Sequence, residues 1–211
     1  MRITLPLAIK NVAAMKWSIL DKKLLYRGFF TLSQFSLKHD LFEGGESKPL
    51  IRELLDRGQA AAVLPYDPVR DEVVLIEQFR IGAVEDPSGP WLIEVIAGLC
   101  EPGEPVEDLI HREALEEAGC AVSDLIPLFH YYSSPGGSNE EIDLYIARTD
   151  TSGVGGIHGL DDEGEDIRVL VMKSDAAFDL LEQGRIDSAM PIIAQQWLQL
   201  NREKIREQWQ Q

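Results

Sequence analysis

The stretch Val106–Ala118 constrains the fold more than any other part of the chain, because its period is helical yet it carries charge where a core should be. At 3.6 residues per turn, Val106, Leu109, Ile110 and Ala114 share one arc, which predicts a helix laid against a core, with Gly119 as its stop. Glu113 and Glu117 fall inside that arc, four residues apart, and Glu116 lies at its edge. Three carboxylates therefore share one patch. At about 5 Å and an effective dielectric near ~20, each like-charged pair costs on the order of 3 kcal/mol before desolvation. A salt-bridged structural helix is one answer, but Arg112 can serve one carboxylate and cannot neutralise three. A hard divalent cation with oxygen ligands is the other. The preceding Ala97-Gly98 favours it, since glycine admits close approach of a ligand and leaves a backbone carbonyl to coordinate.

The remaining pattern sets the fold class. Trp17 to Phe42 alternates around Tyr26, Phe29, Phe30 and Phe35, as half-buried strands do, and predicts an N-terminal β-hairpin or small sheet. Gly44, Gly45 and Pro49 end it. Ala60–Tyr66 and Glu72–Ile81 flank the turn Asp67–Asp71 and read as an antiparallel hairpin, with WLIEVIAGL (91–99) as a further single strand. Strands follow near Leu125–Tyr132, Ile142–Ala147 and in IRVLVM (167–172), with a glycine-rich acidic loop from Gly153 to Asp166. Helices are expected at Ser174–Gln183 and Ala189–Gln208, the latter carrying Ile192, Ile193, Trp197 and Leu198. Strands and helices interleave irregularly, which predicts a mixed α/β (α+β) sheet flanked by helices rather than a doubly wound parallel one.

Composition narrows the partners. Apolar residues at 45% and charged residues at 27% are those of a globular chain able to bury a core. Twenty basic against thirty-six acidic residues, net −16, is the wrong sign for binding nucleic acid. A phosphate-bearing ligand would need cations or a few placed arginines. Cys100 and Cys120 are too few and too dispersed for a disulfide framework or a zinc site, so the cytoplasm is expected. Lys10 interrupts the apolar N-terminus, and neither an export signal nor a membrane span is expected. His39, His111, His130 and His158 lack metal-ligand spacing and read as loop or surface residues.

Read from Gly98, the sequence GLCEPGEPVEDLIHREALEEAGC resembles the Nudix box: Gly, five residues, Glu, seven residues, Arg-Glu, an apolar residue, any residue, Glu-Glu, any residue, Gly and an apolar residue. Gly98, Glu104, Arg112, Glu113, Ala114, Glu116, Glu117, Gly119 and Cys120 occupy those places. Ala114 and Cys120 are smaller than the aliphatics usual there. The resemblance implies a Nudix α/β/α sandwich with a mixed sheet over 56–211, and an N-terminal antiparallel β subdomain over 1–55 that serves dimerisation. It also implies that Glu113, Glu116, Glu117 and the Ala97 carbonyl hold two or three Mg2+ ions, with Mn2+ as the alternative ion, while Glu104 and Arg112 brace the loop.

Within that superfamily, Pro135 lies sixteen residues beyond Gly119 and resembles the mark of ADP-ribose pyrophosphatases. LYRGFF, IRELLDRG, LPYDPVRDEVVLIEQFRIGA, GIHGLDDEGEDIRV and IIAQQWLQL look like that family from about Leu24 to Leu200. The similarity implies hydrolysis of ADP-ribose to AMP and ribose 5-phosphate. By the same similarity Phe29 and Phe30 contact adenine, and Arg52, Glu53 and Arg57 meet the adenosine half or a subunit boundary. Arg80, Leu99, Ser134 and Glu140 line the phosphates and terminal ribose. Glu163 is implied as catalytic base and Glu165 as a further metal ligand, with Gly164 as a hinge. A homodimer is also implied. The alternatives are a Nudix hydrolase of another nucleotide sugar or dinucleotide, such as GDP-mannose, and a non-catalytic ADP-ribose-sensing domain.

Overall fold

A computed structural model describes residues 15–160 and 164–209, which divide into two compact units. The first comprises residues up to Arg57 together with Ser134–Asn139. Strands β1 (Trp17–Arg27), β2 (Thr31–His39) and β3 (Leu50–Asp56) form an antiparallel sheet in that order. The segment 134–139 is stitched to the end of β3: the Leu55 amide donates to the Gly137 carbonyl, and the Asn139 side chain accepts from the Arg57 amide and donates to Asp56. Alternation around the aromatics predicts half-buried strands, yet every residue of β1 is exposed, with Trp17 74% accessible.

The second unit, Gly58–Ser133 with Glu140 onward, is built on one eight-stranded sheet. Its strands are β4 (Gln59–Asp67), β5 (Glu72–Phe79), β6 (Trp91–Glu94), β7 (Ile96–Leu99), β8 (Val122–Tyr132), β9 (Glu141–Thr149), β10 (Gly156–His158) and β11 (Ile167–Lys173). The main path runs β10-β11-β5-β4-β9-β8, with β6 on β5 and β7 on β4. All described pairings in it are antiparallel except β4 with β9. Side chains alternate across this sheet, so β4 feeds two cores at once. Ala62, Leu64 and Tyr66 face one core with Val73, Leu75, Leu144 and Ile146, while Ala61 and Val63 face another with Val74, Ile76 and Ile96.

A helix seals each face. Helix α1 (Val106–Ala118) buries Leu109, Ile110, Ala114 and Ala118 on the Val63 side, where Ala114 and Cys120 are fully buried. The small residues at the two box positions are thus packed core. Helices α2 (Ser174–Glu182) and α3 (Ala189–Trp209) cover the opposite face, α3 through Ala194, Leu198, Ile205 and Trp209, an i, i+4, i+11, i+15 stripe. Ile192, Ile193 and Trp197 pack at its margin. The result is the expected α/β/α sandwich. Among the described residues no helix is long and apolar enough to cross a membrane.

Three further expectations are corrected. The hairpin of β4 and β5 pairs only at its root, Tyr66–Val73 and Asp67–Glu72, because the two strands then part and admit β7 and β6 between them. The run Trp91–Leu99 is consequently two strands broken at Val95, one continuing β5 and the other β4. A 3-10 turn, Ile81–Ala83, replaces the end of the expected β5.

Candidate active site

Strand β7 and helix α1 build the acidic centre. Pro105 opens the helix, Glu107 and Asp108 in its first turn complement its dipole, and Gly119 closes it in the left-handed region at φ 56°. The Gly119 and Cys120 amides donate back to the Leu115 and Ala114 carbonyls. The helical phase fixed by those ends turns Glu117 inward, where it is 2% exposed. Its Oε2 accepts the Ala97 N–H at 3.0 Å. Sequence reasoning named the Ala97 carbonyl and missed this amide, which donates to the helix.

Burial dominates the electrostatics. Desolvation pushes the Glu117 carboxyl up to about 8, against the Ala97 hydrogen bond, with Glu113 and Glu165 adding repulsion and Arg80 opposing it. Glu113 rises to about 7, again through desolvation first, with Arg112 opposing and Glu116 and Glu165 repelling. Glu165 is therefore close enough for both helix carboxylates to feel its charge.

Arg112 serves more partners than its place in the sequence indicated. Its Nε and Nη2 donate to the two oxygens of Glu104 at 3.0 and 3.2 Å, and its Nη1 reaches Glu113 and Glu116, each at 2.9 Å. The guanidinium thus clips the Cys100–Pro105 loop to the helix and partly neutralises two of the three helix carboxylates. Glu117, the most buried of them, is left to the Ala97 amide.

The donors fit a hard divalent cation. Glu113, Glu116 and Glu117 offer only oxygen, two of them are held uncomfortable by burial, and Gly98 leaves space no other residue could: a Cβ there would stand 2.0 Å from Glu113 Oε1. Among the described residues no three acidic, histidine or cysteine side chains are gathered closely enough to hold a metal ion.

The other predicted site residues are placed unit by unit. In the first, the β1–β2 turn presents Phe29, 88% exposed, edge-on to Phe30 at 4.8 Å, and the Arg57 guanidinium stacks 4.6 Å over the Phe30 ring. Arg52 and Glu53 are exposed neighbours on β3, Arg52 donating to the Ile51 carbonyl. Ser134 is exposed and accepts the Gly137 and Ser138 amides. In the second, Arg80 donates to the buried Glu94 at 2.6 Å, Leu99 is exposed at the end of β7, and Glu140 is half-buried, its carbonyl accepting the Ser133 amide. Glu94 was missed; its signal was a lone acid inside the apolar run 91–99. Glu163, the implied base, lies outside the described residues, as do Asp161 and Asp162.

Residues 56–191 match the Nudix domain family. An ADP-ribose pyrophosphatase of Escherichia coli (strain K12) is 47% identical over 191 residues, spanning 90% of this chain and 91% of the relative. A GDP-mannose pyrophosphatase of Enterobacter sp. (strain 638) is 36% identical over 191 residues, spanning 89% and 97%. A crystal structure described as an ADP compounds hydrolase superposes with a TM-score of 0.65 at 23% identity, covering 87% of this chain and 95% of that one, which shows the shared fold. With the box complete in sequence, its helix buried as the family fold demands, and full-length relatives at this identity, the chain belongs to the Nudix hydrolase superfamily and, within it, to the ADP-ribose pyrophosphatase family.

Proposed function

We propose that this hydrolase cleaves the diphosphate of ADP-ribose, with Mg2+, to AMP and ribose 5-phosphate. The observation that carries the reading is the helix face of Glu113, Glu116 and Glu117 folded against Gly98, in a chain 47% identical to an ADP-ribose pyrophosphatase. Glu113, Glu116, Glu117, Glu165 and the Ala97 carbonyl would hold the cations. Bound Mg2+ supplies neutralisation of the diphosphate and a more acidic water. Glu163 accepts the proton of the water attacking the adenosyl phosphorus, and the bridging oxygen leaves with ribose 5-phosphate. Arg80, kept in place by Glu94, offers its remaining N–H groups to phosphate oxygens. The Phe29–Phe30–Arg57 stack offers a platform for a purine.

A second copy of the chain is the proposed cover for β1, whose Trp17, Ile19, Leu24 and Tyr26 are exposed. The reducing cytoplasm is the proposed compartment for a chain with two free cysteines.

Incubating the protein with Mg2+ and ADP-ribose should yield AMP and ribose 5-phosphate in equal amounts, faster than GDP-mannose is consumed. Faster turnover of GDP-mannose would move the chain to the other substrate. Glu163→Gln should lower kcat by about 10²- to 10³-fold while calorimetry shows Mn2+ uptake retained. Unchanged turnover would place the base elsewhere.

A further inference from the structure

We propose that His158 is a positioning residue of this site: its ring, set against Gly119 at the end of α1, fixes residues 158–160, to which Glu165 is hydrogen-bonded, and so holds that carboxylate in place. The inference rests on the proposed hydrolysis.

Three contacts fix the ring and the residue that follows it. The ring lies so close over Gly119 that a Cβ there would stand 2.7 Å from His158 Cε1. Glycine at this position is therefore needed twice, for its left-handed φ of 56° and for the imidazole above it. The ring is held in turn by its Nε2, 3.0 Å from the Gly155 carbonyl, which sets that nitrogen as the protonated one. The next residue then reaches the helix directly: the Gly159 amide donates to the Glu116 carbonyl at 3.2 Å, one of the carbonyls a helix end leaves without an internal partner.

From that foot the chain turns at Gly159, φ 104°, so tightly that a Cβ there would stand 2.6 Å from the Cβ of Glu165. The Glu165 amide donates to the Leu160 carbonyl at 3.2 Å, and the Leu160 amide donates to Glu165 Oε2 at 3.1 Å. Glu165 is thus tied by main chain and side chain to a residue two places from His158. Pairing of His158 with Ile167 closes the far side. A shift at residues 158–159 would therefore pass to Glu165 through its two hydrogen bonds with Leu160.

The test uses the full chain with two substitutions. In His158→Ala, amide exchange at residues 159 and 160 should accelerate at least about tenfold, and the Mg2+ concentration for half-activation should rise. The value of kcat at saturating Mg2+ should fall about 10- to 100-fold, the scale of small misplacements near reacting groups, with KM for ADP-ribose within about twofold and Tm within a few degrees. His158→Gln keeps a donor for the Gly155 carbonyl and should fall between wild type and His158→Ala. Unchanged exchange or kcat, a parallel collapse of kcat, KM and Tm, or a His158→Gln as impaired as His158→Ala would each overturn the proposal. Absence of ADP-ribose turnover by the wild type would instead defeat the functional reading, while the exchange comparison still decides whether His158 anchors the segment.

Discussion

Glu117→Gln should give a protein that is nearly inert and yet more stable than the wild type when divalent cations are chelated. Glutamine preserves the shape and still offers an oxygen to the Ala97 amide, but removes a charge that the fold buries almost completely. Turnover should fall on the order of 10⁴-fold, because a carboxylate that would hold the cation is lost. The stability gain depends on pH with a definite sign. The Glu117 carboxyl is pushed up to about 8 from 4.5, so between those values the folded state holds a proton that the unfolded chain releases. That contribution is complete below about pH 4.5 and is lost as pH rises toward 8. Chelated wild type should therefore weaken between pH 5 and 8 and the variant less, since only Glu113, also raised, still titrates there, giving an advantage of about 2 kcal/mol, or about 5 °C in Tm, at the upper end. A variant less stable than wild type at pH 8, or one that retains turnover, would remove the burial argument.

Asp71→Ala should be the most damaging single change remote from the acidic centre. Asp71 closes the β4–β5 turn at φ 58° and its Oδ1 accepts from the Tyr66 hydroxyl at 2.6 Å, Ser174 Oγ at 2.8 Å and Arg202 Nε at 2.9 Å. Its carbonyl also accepts the Ser174 amide that begins α2. One carboxylate therefore joins the sheet to α2 and α3. Burial would raise its pKa, but Arg202, Tyr66 and Ser174 outweigh it and hold the carboxyl well below its ordinary range. Burial first, and then the same contact, push the Tyr66 phenol up. Alanine would strand three donors and strain a left-handed residue, costing about 4 kcal/mol and lowering Tm by about 10 °C. Asp71→Asn tolerates the backbone and should lose about half of that. Urea unfolding that places Asp71→Ala within about 1 kcal/mol of wild type would refute the clamp.

What could be read without coordinates follows the reach of local physics. Helix α1, its glycine stop, the two core-facing glutamates and the long helix α3 were legible because each is written in a repeat of 3.6 within one segment. The division of Trp91–Leu99 was not, because Val95 is as apolar as its neighbours and the break arises from β5 and β4 parting elsewhere. The same holds at the site. Arg112 and Glu113 are adjacent in sequence, and their link was available. Arg80 with Glu94, the Ala97 amide with Glu117, and His158 with Gly119 join residues 14, 20 and 39 positions apart, which periodicity cannot pair. A histidine without ligand spacing gave no sign of packing on a helix end.

Strand β4 is mostly alanine and valine at its first half, and it sets the register of everything chemical in its unit. Ala61 and Ala62 face Gly98 and Ala97 across the ladder. Sliding β4 by a single position would exchange its two buried faces and move Gly98 off Glu113 and the Ala97 amide off Glu117. An inserted or deleted residue between Ala60 and Val63 should consequently silence the enzyme as thoroughly as removing a glutamate, through a stretch that holds no reactive atom. The inert alanines act as the ruler against which the acids are aligned.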